Sequence, residues 1–300
     1  MALRLHITER QRRLGIELRK LRENAGFNLI EAAALINMGR PQLTHIEAAK
    51  TGMSTERLRA LVSRYGATSG PYINELVRMS ESSGKGWWSE YRKALPQQML
   101  DLAELEDRAT VIASYETLLV PGLLQTEPYM RTLFQNARPD ATPTEIDTLV
   151  RFRLARQRVL AGEHPPQFHV VIHEAALRMV VGNPPIMRGQ LAHLIRMAAN
   201  PQVTIQVLPF DQGTQAWRSA PFLLLDPGIT GLETVFVEHP AAGMTLHDAE
   251  AVSQYQATLD ALVHSALPPI DNEVAPDRHE ERDSLGLVQH ILYTHSGGHS

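Results

Sequence analysis

In the segment "RPQLTHIE", residues 40 to 47, Arg40, Gln42, Thr44 and His45 sit at helical spacing around the apolar pair Leu43 and Ile46. If Leu43 and Ile46 pack inward, the four polar residues share the outer face. These are side chains that hydrogen-bond base edges in a major groove. Arg40 suits the O6/N7 pair of guanine and Gln42 the N6/N7 pair of adenine, while Thr44 and His45 complete the base-reading set. Arg12, Arg13, Arg19, Asn28 and Lys50 form a second set suited to phosphate contacts, which position a protein without reading sequence.

Metal and catalytic chemistry fit the residue pattern less well. His169 and His173 are four apart on an expected strand, which puts them about 13 Å apart along one sheet face, too far to share an ion. "HEAAL" lacks the second histidine of the zinc-protease helix motif, since Leu177 stands there. His239, His247 and Asp248 would need long-range folding to converge. No P-loop, G-x-S-x-G or G-x-G-x-x-G occurs. No catalytic, cofactor-binding or metal-binding residue is assigned, and the expectation is a protein that is not an enzyme. Glu116, Glu127, Glu174 and Glu238 are candidates to line a polar pocket or to serve as structural carboxylates. Arg151, Arg153, Arg156 and Arg158 suggest a basic helix face, solvated or paired with the acidic body, with docking of an anionic ligand or of the partner as the alternative.

The elements that position these residues follow from periodicity and caps. Short helices are expected over 12–24, 28–36, 40–47, 55–65 and 71–80. Asn28 with Glu31 reads as a capping box, Asn37 tolerates the positive φ of a tight turn, Gly39 can cap, and Pro41 fits the first turn of the next helix. Beyond the Ser/Gly-containing stretch 81–86, the order is a helix over 97–109, a strand over 111–115 and a helix from about Thr126. A helix over 144–160, a strand over 167–173, a helix over 187–199 and strands at 203–210, 220–226 and 234–240 come next. The series closes with a helix over about 246–266 and a short last helix capped by Ser284. Trp87, Trp88 and Tyr91 anchor the exit of the linker or, alternatively, form a base-stacking platform.

The expected fold is α+β overall: an all-α helix-turn-helix domain over 1–80, a linker with its aromatic anchor over 81–90, and a larger α/β domain over 91–270. That domain should hold a mixed sheet of four to five strands, followed by a mostly flexible tail over 271–300. Charge divides the same way. Residues 1–80 hold thirteen Lys/Arg against seven Asp/Glu, and the remainder sixteen against twenty-six. A basic module on an acidic body is the pattern of a chain in which one domain meets a polyanion. Cysteine is absent, and no apolar run is long enough to span a bilayer or act as a secretory signal, so a cytoplasmic protein without membrane contact is expected.

Residues 12–66, with "EAAALINMGRPQLTHIE" at their centre, resemble the helix-turn-helix of the phage-repressor-like (XRE) regulators. The sequence departs from that pattern in Asn37, where Gly is usual, in Gly39, where Ser or Thr usually caps, and in Pro41. "GWWSEY", "LEDRATVIASYETLLVPGLLQTEPY", "HEAALRMVVGNPPIMRGQLAHLI", "VTIQVLPF" and "FVE" resemble the carboxy-terminal domain of actinobacterial regulators, with WhiJ-like developmental regulators as the named examples. The resemblance implies a transcription regulator that binds double-stranded DNA, and a carboxy-terminal domain able to bind a small-molecule effector or a small partner protein encoded nearby. It also implies a likeness to antitoxins. Because one reading helix covers about four to five base pairs, useful specificity implies a homodimer. Two other readings stay open: an antitoxin-like protein that sequesters its partner, and a DNA-targeted hydrolase using several of Glu116, His173, Glu174, Glu238 and His239.

Overall fold

The structure is a computed structural model of the 300-residue chain and describes residues 3–4, 6–67, 70–212, 220–238, 243–271 and 282–295. It divides into two compact units, residues 1–105 with 229–232 and residues 106–228 with 233–300. The tail segments 272–281 and 296–300, expected to be flexible, lie outside the described residues, as does His239.

The first unit is helical. Its elements are α1 (Glu9–Asn24), α2 (Leu29–Ala34), α3 (Arg40–Glu47), α4 (Thr55–Arg64), α5 (Pro71–Glu81), a 3-10 turn at Trp87–Tyr91 and the start of α6 (Gln97–Arg108). Thr8 begins α1 with a capping box closed by Gln11, and Asn28 begins α2 with one closed by Glu31. Leu18, Ala32, Leu43, Leu58, Leu61 and Leu76 form the middle of the core, each fully or almost fully buried. Helix α1 crosses the end of α3 so closely that a Cβ on Gly15 would overlap the Glu47 carbonyl. Only glycine permits that approach.

The aromatic segment after α5 lies inside this unit instead of linking two units. Trp88 is 3% exposed, and Trp87 meets Trp88 and Tyr91 edge-on with ring centroids 5.8 and 6.4 Å apart. Edge-to-face packing of this kind makes the trio an anchor and leaves no open face of Trp88 for a base. The division between the two units falls within α6, between residues 105 and 106.

The second unit is an α/β fold around a six-stranded mixed sheet in the order β3-β2-β1-β4-β5-β6. The strands are β1 (Val111–Glu116), β2 (Gln167–His173), β3 (Val203–Leu208), β4 (Phe222–Asp226), β5 (Thr234–Val237) and β6 (Met244–Leu246). β1, β2 and β3 run parallel, whereas β4, β5 and β6 join antiparallel. The parallel strands are connected through α7 (Glu127–Ala137), α8 (Pro143–Gln157), α9 (Glu174–Arg178) and α10 (Pro184–Met197). Helix α11 (Ala249–Ser265) covers one face, packing Leu259 and Leu262 onto Ala113, Tyr115, Phe222 and Val235. By the two-residue alternation of a strand, Ser114 and Glu116 face the other side.

Among the described residues the sheet has six strands, one or two more than the expected four to five. β6 is only three residues long, too short for a periodic signal. Ser284 does not cap the final helix α12 (Ser284–Thr294): Asp283 does, its Oδ1 accepting from the Gly286 N–H at 2.7 Å. Ser284 is instead fully buried, and its Oγ accepts from the Val207 N–H at 2.9 Å, tying the helix to β3.

Candidate functional site

Helix α3 begins at Gly39 without a side-chain cap, has proline in its first turn, and is preceded by Asn37 at φ 52°. The resulting turn between α2 and α3 points the inner face of α3, Leu43 and Ile46, into the core at 0% and 4% exposure. Arg40 and Thr44 are exposed, and Gln42 and His45 half-buried. The Thr44 hydroxyl donates to the Arg40 carbonyl at 2.9 Å, which leaves its lone pairs and methyl group outward. Past the helix, Ala49 also takes a positive φ of 57°, and the Lys50 N–H closes onto the His45 carbonyl at 2.8 Å with the lysine side chain exposed.

The expected phosphate-contacting residues divide. Lys50 is exposed, and so is Arg19, which pairs with Glu23 at 2.8 Å. Arg12 is half-exposed but held by Glu9 at 2.7 Å and Asp101 at 2.8 Å. Asn28 is exposed, with its Oδ1 already accepting from the Ile30 and Glu31 N–H groups. Arg13 cannot take the role. Its side chain is 4% exposed, its Nε donates to Glu17 at 2.7 Å and its Nη2 to the Gly231 carbonyl at 2.5 Å. The spacing Arg10, Arg13, Leu14, Glu17, Leu18 makes one inward stripe, in which buried charges are paired: Arg10 with Glu75, Arg13 with Glu17. The acid four residues after Arg13 was the available signal. Arg57, Arg59 and Arg64 on α4, not singled out by sequence, are exposed and make no ion pair among the described residues.

A second site lies in the sheet unit at the carboxyl end of β1. Glu116, Ser114, Gln125, Arg153, Arg156 and Glu238 contribute the polar lining of a cavity of about 70 Å³, with Leu119, Leu123, Phe168 and Leu223 among the apolar walls. The connection leaving β1 crosses to β2 on one side while β4 flanks it on the other, the kind of position where open α/β sheets form ligand crevices. Arg153 and Arg156 therefore point inward from α8, not onto a solvated face. Arg151 and Arg158 are the exposed pair. Arg156 is held in a two-pronged pair by Glu106, at 2.6 and 2.8 Å. Arg153 stacks 4.4 Å over the Phe134 ring and donates from Nη1 to Gln125 at 2.6 Å. Burial pushes the Glu116 carboxyl up to about 8, with the Glu238 charge adding to the effect. Burial and the neighbouring Arg156 charge lower Arg153 to about 10, so it stays cationic at neutral pH.

Residues 13–76 match the family described as a helix-turn-helix domain. Residues 99–272 match a second family, described as a domain of unknown function (DUF5753), over more than half of the chain. The chain belongs to the DUF5753 family. No curated protein and no solved structure matches it. A helix-turn-helix domain ahead of a DUF5753 domain marks a helix-turn-helix regulator, which implies DNA binding. Among the described residues no helix is long and apolar enough to cross a membrane.

The DUF5753 region brings together two of the four singled-out glutamates, Glu116 and Glu238. Glu127 lies on the surface, paired with Arg131 at 3.0 Å. Glu174 is buried between Arg178 at 2.7 Å and the Phe210 N–H at 2.9 Å, and His173 caps α9 by accepting from the Ala175 N–H. His169 bonds Gln206 at 2.7 Å. Among the described residues no cluster of three or more His, Asp or Glu is arranged to hold a metal ion.

Proposed function

We propose that this protein is a sequence-specific DNA-binding transcription regulator of the XRE, WhiJ-like kind. It acts in the cytoplasm as a homodimer and has no catalytic activity of its own. The observation that carries the reading is α3: an eight-residue helix fixed to the core through Leu43 and Ile46, with Arg40, Gln42, Thr44 and His45 along its outer side. Inserted in a major groove, that side reaches base edges, and two copies related by a dyad read two half-sites.

Control through the DUF5753 domain is the second part of the proposal. A ligand or a small partner protein acts if it binds the DNA-competent arrangement with a different affinity from the incompetent one. Exposed apolar side chains support a partner surface: Leu118 and Leu119 after β1, Met179 and Val180 after α9, and Phe210 after β3, all beyond the carboxyl ends of the parallel strands. They also keep the antitoxin-like reading in play, in which the chain sequesters its partner and autoregulates. A DNA-targeted hydrolase has less support, because Glu174 and His173 are engaged in local structure and, among the described candidates, Glu116 and Glu238 alone line the cavity.

The test is salt-dependent binding of the purified chain to the DNA upstream of its own gene, with random DNA as control. A specific preference, weakened by Arg40→Ala, supports the regulator. Equal affinity for both DNAs that Arg40→Ala leaves unchanged counts against α3 as the reader.

A further inference from the structure

Arg153, a half-buried residue whose Nε is buried, differs in what it lacks from Arg156, the buried arginine beside it. Arg156, one turn along α8, has its charge matched by Glu106. Arg153 has no carboxylate within ion-pairing distance among the described residues; its one hydrogen bond goes to a neutral amide, and its Nε is buried without a partner. A buried guanidinium left short of acceptors is costly, and an anion supplied from outside would relieve it. The space for one exists. Gly122 leaves a gap in which an added Cβ would still stand 3.8 Å from the Arg153 Nε.

We propose that the cavity at the carboxyl end of β1 binds a short aliphatic carboxylate, gripped through Arg153, with its hydrocarbon tail against Leu119, Leu123, Phe168 and Leu223. The volume of about 70 Å³ suits a ligand of a few heavy atoms or a handful of waters. A monoanion fits better than a phosphate dianion, because of the two guanidinium groups at the space Arg156 is already paired with Glu106, which leaves Arg153 as the one without a carboxylate, and Glu238 adds negative charge at the exposed rim. Glu116, whose carboxyl keeps its proton to about pH 8, can donate to the bound carboxylate. The charged and titratable groups facing Glu116 are Arg153 and Arg156 from α8, Glu238 from the end of β5, and Tyr129 from α7, with Glu106 behind Arg156. Raising the pH through about 8 removes the Glu116 proton, places a second negative charge in the cavity, and weakens anion binding.

The inference rests on the regulator reading only for its consequence, the control of DNA binding. Calorimetry on the full chain, at constant ionic strength, compares sodium propionate with propylammonium chloride and inorganic phosphate. Propionate is expected to bind near neutral pH with a Kd of about 1 mM or tighter, within reach of so small a ligand. Arg153→Gln should weaken it about tenfold or more, the loss of a charged hydrogen bond. Glu238→Gln, at the exposed rim, should tighten it. No saturable propionate binding, preference for propylammonium or phosphate, or affinity indifferent to both substitutions and to pH overturns the proposal. If Arg153→Gln fails to fold, the sign of the Glu238→Gln effect and the pH profile decide. DNA binding is recorded on the same samples: propionate binding without DNA binding would sink the regulator alone, and DNA binding without propionate binding would sink this site alone.

Discussion

Arg22 on α1 grips Glu47, the last residue of α3, with two prongs: Nε to Oε1 at 2.7 Å and Nη2 to Oε2 at 3.0 Å. Both side chains are more than nine-tenths buried, and Arg22 also donates to the Phe27 carbonyl at 3.0 Å. The carboxylate holds the Arg22 guanidinium above its ordinary range. The pair thus locks the end of the candidate recognition helix to the helix behind it. Glu47→Ala strands a buried cation and should cost about 3–5 kcal/mol, measured as a shift in urea unfolding. Glu47→Gln, which keeps part of the hydrogen bonding, should cost less. A loss below about 1 kcal/mol for Glu47→Ala would mean water replaces the carboxylate.

Two cations that the sequence placed together should behave differently. Arg13→Ala removes a partner of Glu17, which keeps Lys20 at 3.0 Å and the Tyr72 hydroxyl at 2.7 Å. Its effect should be on stability, about 2–4 kcal/mol, with the salt slope of DNA binding unchanged. Lys50→Ala should leave stability alone and lower that slope by about one. Arg40→Ala should cost about 1–3 kcal/mol on the specific site and little on random DNA. Thermal unfolding together with binding at several salt concentrations separates the three.

The contrast shows where sequence is legible. Helix α3 and strand β2 occupy the predicted residues because their signals are local: Gly39 and Pro41 at a helix start, alternating apolar residues in "QFHVVIH". Asn37 was equally readable, since few residue types accept its φ. The inward turn of Arg153 and Arg156 was not, because their partners Gln125 and Glu106 lie 28 and 50 residues away. Glu116 and Glu238 could be named as pocket candidates, but their convergence depends on β4 inserting between β1 and β5. Periodicity carries no information on that strand order.

Asn37 offers a local test of the turn. It is exposed and holds φ 52°, where a Cβ is strained and asparagine is tolerated. Asn37→Ala should destabilise the helix-turn-helix unit by about 1 kcal/mol, and Asn37→Gly should leave it equal or stabilise it by up to about 1 kcal/mol. Chemical denaturation of the two variants checks the order. Alanine equal to glycine would show that the turn relaxes out of the left-handed region.

Glu116 links the cavity to the stability of its unit. Burial raises its carboxyl from 4.5 to about 8, against the opposing pull of Ser114, Arg153 and Arg156. Below about pH 4.5 folded and unfolded chains both carry the proton, and the contribution of Glu116 is fully present. Between there and about pH 8 only the folded chain keeps it, so stability falls as pH rises, by at most about 1.4 kcal/mol per pH unit. Above about pH 8 the carboxyl is ionised in both states and the loss is complete. Glu116→Gln keeps the shape without the titration. Wild type minus Glu116→Gln, followed by urea unfolding from pH 5 to 9, should therefore slope downward and level off near pH 8. A flat difference would mean that the cavity admits enough water, or approach by Arg153, to keep Glu116 ionised in the folded chain.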